Sequence, residues 1–239
     1  MKSFSKVKAL AAKELLVYFT TPIAYIVFGV FLLVAGFYFF VFSPFFFFGQ
    51  AELREFFSAL PVLFAVFVPA VTMRLFSEEK QSGSIEILMT LPITAAEAVL
   101  GKFLAAVAFV TVMLSPTFLY ALSVSLLGDV DYGPVLGGFL GAVLLGASFS
   151  AIGIFTSSVS RNQIIAFLVG VAVCVTLALI DYFLFFLPAG MVRFVEYFGL
   201  GYHFKTVAKG VIDSRDIVYF ISVIVIALLG TVKVVEERR

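Results

Sequence analysis

Charge is rare in this chain, and where it gathers it could do chemistry. From residue 74 to residue 102 the sequence reads RLFSEEKQSGSIEILMTLPITAAEAVLGK. Arg74, Glu78, Glu79, Lys80 and Glu86 fall within thirteen positions, in the one sizeable polar island between long apolar runs. Ser77 offers a helix N-cap, and Glu78 and Glu79 suit the positive end of a helix dipole. Gly83 permits a sharp bend. Ser84 can cap a second start, after which Ile85, Leu88 and Met89 share a face at i, i+3 and i+4. Pro92 ends the element. The pattern predicts a bent, short amphipathic helix with a small apolar knob among acids. Such an object fits a groove on another protein, and equally a loop that dips its Ile and Leu into lipid. The residues by themselves leave both readings open.

Other chemistries lack their residues. The Gly101-Lys102 pair is no phosphate loop: Ala96 stands where the upstream glycine is needed, and Phe103 follows the lysine. A structural zinc site needs about four ligands, and the chain has one histidine, His203, and one cysteine, Cys174. His203 reads as an interfacial aromatic and Cys174 as a buried small hydrophobe. Ion-coupled carriers hold ionisable groups near mid-membrane. The apolar runs are almost free of them; Asp181 lies roughly 25 Å along the fifth run at 1.5 Å per residue, near its outer end. A structural role there fits better than a proton or substrate site. No catalytic residue is assigned, and the chain reads as no enzyme. A net charge of +1 gives no field that would collect nucleic acid.

These residues need elements to position them, and composition names the solvent. The chain has 239 residues, 62% of them hydrophobic and 13% charged, with a mean hydropathy of +1.15. Soluble domains carry roughly 25% charged residues, so the surroundings must be lipid. Phe occurs 31 times and Trp not at all, which leaves nine Tyr as interfacial anchors. A spanning helix needs about 20 apolar residues, and six runs qualify: 22–42, 56–76, 99–127, 135–156, 164–187 and 217–232. The expectation is an all-α membrane protein with one transmembrane domain over residues 1–239, the six-span bundle filling 22–232 and a tail at 233–239. Residues 1–21 read as an amphipathic helix on the membrane surface. Phe4, Val7, Ala11, Leu15 and Tyr18 form its apolar stripe, with Lys2, Lys6 and Lys13 toward anionic headgroups. They do not resemble a cleavable signal, because the lysines are spread out and no small-residue site follows a short apolar core.

An even number of spans places both termini on one side. Eleven of the sixteen Lys and Arg then share the side of the termini and of the 74–102 loop, which makes that side the cytoplasm. Residues 188–216, between spans five and six, are too amphipathic to cross and too apolar to float, which predicts short helices at the outer surface. The Phe-rich run 37–48 could line a lipid-like route, but plain packing toward lipid is the commoner use of such a run. No internal repeat supports an inverted-repeat carrier.

Glu79, Gly83 and Glu86, spaced E-x-x-x-G-x-x-E in EKQSGSIEILMTLPIT after the second span, resemble the signature of type-2 ABC exporter permeases. Gly101-Lys102 at span three, the run SSVSRNQ at 157–163 and the GYHF…KGVIDSRDIVYF run entering span six agree with it. The resemblance covers nearly the whole chain and is nearest to the gliding-motility and multicopper-enzyme-maturation permeases. It implies a cytoplasmic-membrane subunit, both termini inside, that pairs with a second permease and docks a separate ATPase. That ATPase, not this chain, would bind ATP and Mg. It further implies that the loop after span two is a coupling helix, with Glu79, Gly83, Ser84, Glu86 and Leu88 as its contact residues. The N-terminal helix with Lys6 and Lys13 would be the elbow helix, and the loop between spans five and six would form short extracellular helices. A periplasmic accessory subunit is compatible with this plan. The competing readings are a secondary carrier, which needs no ATPase, and a non-transporting scaffold that passes force across the membrane.

Overall fold

The computed structural model describes residues 2–42, 53–84, 93–126, 128, 130–183 and 195–237. Within them every regular element is a helix. Helix α1 (Lys2–Thr20) is followed by Thr21, extended at φ −99° and ψ 136°, the backbone that a residue before proline adopts. Pro22 then opens α2 (Pro22–Phe37), which continues through a π-helical turn over Tyr38–Phe42. Six helical stretches are long and apolar enough to cross a membrane: Pro22–Val41, Arg54–Gln81, Ala95–Ser125, Tyr132–Val159, Gln163–Asp181 and Ser214–Glu236. They correspond one for one to the six apolar runs of the sequence.

Two spans are broken. Span two comprises α3 (Arg54–Thr72) and α4 (Arg74–Gln81), joined at Met73. Ser77 does not cap a helix start, as its residue type had suggested. It lies inside α4 and returns its hydroxyl to the carbonyl of Met73, the i−4 bond open to a serine within a helix. Span three comprises α5 (Ala95–Leu114), a 3₁₀ turn at Ser115–Thr117, and α6 (Phe118–Ser125). Pro116 supplies no N–H and crowds the preceding turn, which breaks the helix there. The remaining helices are α7 (Tyr132–Val159), α8 (Gln163–Phe183), the short α9 (Leu200–Ala208) and α10 (Ser214–Glu236).

Span four, helix α7, is the axis of the bundle. In its most apolar stretch 78% of the residues are buried, against 22%, 22% and 17% for spans one, five and six. Those three carry rows of exposed apolar side chains, such as Ile26 and Leu33, Ile164 and Leu168, and Ile226 and Leu229. Lipid tails are as apolar as Leu, so close packing rather than water exclusion holds such helices together. Glycine makes the approach possible on α7. A Cβ at Gly138 would stand 2.3 Å from the Phe57 ring, and one at Gly153 would stand 2.0 Å from Thr72 Oγ1. Both contacts press span two onto span four.

Helix α1 runs along the start of span three. Its buried side is Val7, Glu14 and Tyr18 with half-buried Leu10, Ala11 and Leu15, whereas Phe4 is exposed. Of the apolar stripe, Val7, Ala11, Leu15 and Tyr18 turn toward the bundle together with Glu14, whereas Phe4 does not. Cys174 is buried among apolar neighbours, as its surroundings in the sequence suggested.

Candidate functional site

The buried charged groups described gather at the two ends of the bundle. At the end that carries α1, the centre is Lys102, eight residues into span three and 1% exposed. Its Nζ donates to Glu79 Oε1 at 2.6 Å, to the Leu75 carbonyl at 2.8 Å and to Glu14 Oε1 at 3.3 Å. An ammonium has three hydrogens to give, and here three acceptors from two other elements take them. The Phe76 ring lies 5.1 Å from Nζ and closes the site on one side. One cation therefore ties α1, α4 and α5 into a single clasp. Glu14 also has exposed Lys13 at 3.5 Å. Glu79 Oε2 is buried and has no hydrogen-bond partner among the described residues.

Local sequence explains the placement. Gly101 precedes the lysine, and Leu10 of α1 sits where a side chain would be: a Cβ there would stand 2.9 Å from Leu10 Cδ2. The approach of α1 to span three depends on that glycine. Span three begins with a capping box, in which Thr94 Oγ1 accepts from the Glu97 amide at 3.1 Å and Glu97 Oε2 accepts from the Thr94 amide at 2.9 Å. Lys6 approaches the same carboxylate at 4.0 Å. Lys6 and Lys13 thus both have a carboxylate of the chain beside them.

A second joint sits a turn away. The break at Met73 disturbs the helical ladder, and Ser157 of span four fills the gap. Its Oγ accepts from the amides of Phe76 and Ser77, both at 3.1 Å, and donates to the Met73 carbonyl at 2.6 Å. Lys80 adds a bond from its ammonium to the Ser158 carbonyl. On the other side, Tyr18 of α1 donates to the Val71 carbonyl at 3.1 Å and stacks on Phe109 at 4.9 Å. Burial pushes the Tyr18 hydroxyl well above the ordinary tyrosine range, so it stays a neutral donor. Arg74 lies over the Tyr18 ring at 4.8 Å and donates to Thr21 Oγ1 at 3.1 Å. Span two's lower end is therefore held by span four, span three and α1 at once.

The residues singled out in the sequence fall as follows. Glu79 belongs to the clasp and faces inward, while Glu78 beside it is exposed. Gly83 takes φ 74°, a left-handed conformation that follows the end of α4, with open space where a Cβ would be. Ser84 donates its amide to Ser82 Oγ at 3.4 Å, and the two hydroxyls lie 2.9 Å apart. Glu86 and Leu88 lie outside the described residues, as does the Phe-rich run from residue 43 onward. Phe39, at the near end of that run, is buried and stacks on Tyr120 at 5.5 Å. Glu14 was not singled out in the sequence, and Ser157 entered only as the first residue of the 157–163 run. Lys102 carried one signal: a charge inside an apolar run must find a partner, because its burial is costly.

At the opposite end the polar contacts lie between α8, α9 and α10. Asp181 pairs with Lys205 at 2.9 Å, which agrees with a structural acid near the end of span five. His203 is not an interfacial aromatic: it is 1% exposed, its Nδ1 lies 2.6 Å from Asp216 Oδ1, and its Nε2 lies 2.9 Å from the Tyr197 carbonyl. Tyr219 stacks on its ring at 3.9 Å. An imidazole can satisfy a buried carboxylate and a carbonyl together, which an interfacial position would not require. The expected short helix between spans five and six is α9. Among the described residues no cluster of three or more His, Cys, Asp or Glu is placed to hold a metal ion.

Fold and site together define a multi-pass helical membrane protein with a buried charge clasp at one end of its bundle. The chain belongs to the ABC-2 transporter family: residues 46–196 match the family described as ABC-2 family transporter protein. No curated protein matches the chain. The matched stretch contains Glu79, Lys102 and Ser157 and leaves out α1 with Glu14. The chain is accordingly a membrane component, a permease subunit, of an ABC transporter, and its nearness to type-2 exporter permeases in sequence agrees with that.

Proposed function

We propose that this permease receives motion from a separate ATPase subunit through the segment after span two and spreads it by the Lys102 clasp. The observation that supports this most is the clasp itself. Any push on the segment after Gly83 reaches α4 first. Glu79 then carries it to Lys102 and Glu14, hence to span three and α1, and Ser157 carries it to span four. ATP and Mg belong to the partner; drawing two ATPases together would move two such permeases, identical or related, against each other. The excess of Lys and Arg on the side of α1 makes that side cytoplasmic. Glu79 holds the pose of α4, Gly83 permits the bend, and Ser84, Glu86 and Leu88 supply the surface offered to the ATPase. Lys6 and Lys13 belong to the elbow helix.

The same observations argue against a secondary carrier. The buried charged residues described here, Glu14, Glu97, Lys102, His203 and Asp216, lie at the two ends of the bundle. A coupling ion needs ligands near the middle. The cargo is then apolar or lipid-linked, or passes through a wide path between two permeases, and export is the expected direction. The test is coupling in the purified complex. Gly83→Pro and Glu86→Lys should insert in the membrane normally and lose the permease's stimulation of vanadate-sensitive ATPase activity. Stimulation at the wild-type level in both variants would sink the reading.

A further inference from the structure

At the end of the bundle away from α1, a cavity of about 370 Å³ opens between the start of span two, the start of span four and α9. Its volume falls within the roughly 300–1,000 Å³ of small-molecule pockets. The floor is apolar, formed by Leu53, Phe57, Val135 and Phe204, and the rim is charged, formed by Arg54, Glu55, Asp131, Lys205 and Lys209. The walls are held at backbone contact. A Cβ at Gly137 of span four would stand 2.5 Å from the Val207 carbonyl, and Gly210, at φ 82°, would place one 2.9 Å from the Gly133 carbonyl carbon. His203, locked between Asp216 and Tyr197, fixes the turn of α9 that presents Phe204 to the cavity. The space is preformed rather than left over between loose loops.

The rim charges divide into engaged and open groups. Asp131 Oδ1 accepts from the Gly133 amide, and Lys205 holds Asp181. Among the described residues the side chains of Glu55 and Lys209 make no hydrogen bond or ion pair, yet both line this one cavity. Two opposite charges that face a shared space without closing on each other suit a ligand carrying both signs. An apolar floor beneath them suits one that also carries hydrocarbon.

We infer that this cavity binds a phospholipid whose head carries a phosphate and a primary amine. The phosphate lies toward Lys209, the ammonium toward Glu55, and the first methylenes lie over Phe57 and Phe204. The site requires no ATPase subunit, so its fate and that of the coupling reading separate cleanly.

The test is native mass spectrometry of the full-length chain, released from micelles containing either phosphatidylethanolamine, phosphatidylcholine or phosphatidylglycerol. Wild type should retain about one phosphatidylethanolamine per chain in preference to the other two. Lys209→Glu and Glu55→Lys should each weaken retention about tenfold, the loss of one charge-assisted contact, and the double exchange should restore much of it. Equal retention of the three lipids by wild type would overturn the inference without any variant. So would wild-type retention by both single variants. If glycerophosphoethanolamine, the head without acyl chains, competes as strongly as the intact lipid, the cavity takes a soluble ligand and the lipid assignment fails.

Discussion

The two ends of the bundle solve the same problem, buried charge, in different ways. At the end bearing α1, Lys102 joins groups 88 and 23 residues away in sequence, and Ser157 joins groups about 80 residues away. At the other end, His203 meets Asp216 across 13 residues and Lys205 meets Asp181 across 24. The first arrangement adds two remote segments, α1 through Glu14 and span four through Ser157, to the neighbouring spans two and three. The second closes the hairpin between spans five and six on itself. The polar contacts of the first end thus reach α1, span three and span four, whereas those of the second stay within the hairpin of spans five and six. Long-range polar clasps suit a region that transmits motion, and local pairs suit a region that keeps a shape.

This contrast can be broken by substitution. Lys102→Met should have the largest effect, since it leaves two carboxylates facing each other without their cation. A loss of about 3–5 kcal/mol is expected for a buried pair deprived of one partner, read as a lowered unfolding midpoint in detergent. The triple variant Lys102→Met, Glu14→Gln, Glu79→Gln should recover much of that stability but not the coupling. If the triple variant is no more stable than the single one, the clasp is not an electrostatic unit.

His203→Leu tests the other end. Asp216 would keep its burial and lose its partner, at a cost of about 1.5–3 kcal/mol for a hydrogen bond to a charged group. Hydrogen exchange should speed up across α9 and the start of α10 while α4 stays protected. Spread of the effect to α4 would erase the distinction between a local and a transmitting end.

Ser157→Ala removes one hydroxyl that serves two amides and a carbonyl, with an expected loss of about 1–3 kcal/mol. Its mark should be faster exchange at Phe76 and Ser77. The smallest effect belongs to Lys13→Ala. Lys13 is 60% exposed, and exposed pairs contribute less than about 1 kcal/mol; thermal unfolding should barely change. A larger drop would mean that Lys13, not Lys102, carries the charge balance of Glu14.

The sequence announces the spans because lipid demands about 20 apolar residues in a row, and no tertiary contact can hide such a run. Asp181 was legible for the same reason: its distance along span five follows from the helical rise. Pro116 could have revealed the break in span three. Glu14 falls on the stripe of Val7, Ala11 and Tyr18, so helical periodicity could have shown an acid on that face. It could not have named the partner, Lys102, 88 residues away. Ser77 was misread because a serine near a helix start can cap it or bond back inside it, and composition does not choose between the two. His203 and Asp216 share no helical face, so only the folded hairpin brings them together.

The most direct measurement is ATPase stimulation by the reconstituted permease carrying Lys102→Met, with ATPase retention scored on the same sample. The account predicts that the ATPase stays bound, through the segment after Gly83, while its stimulation is lost. Full stimulation by Lys102→Met, or a wild-type permease that engages no ATP-hydrolysing subunit, would contradict it.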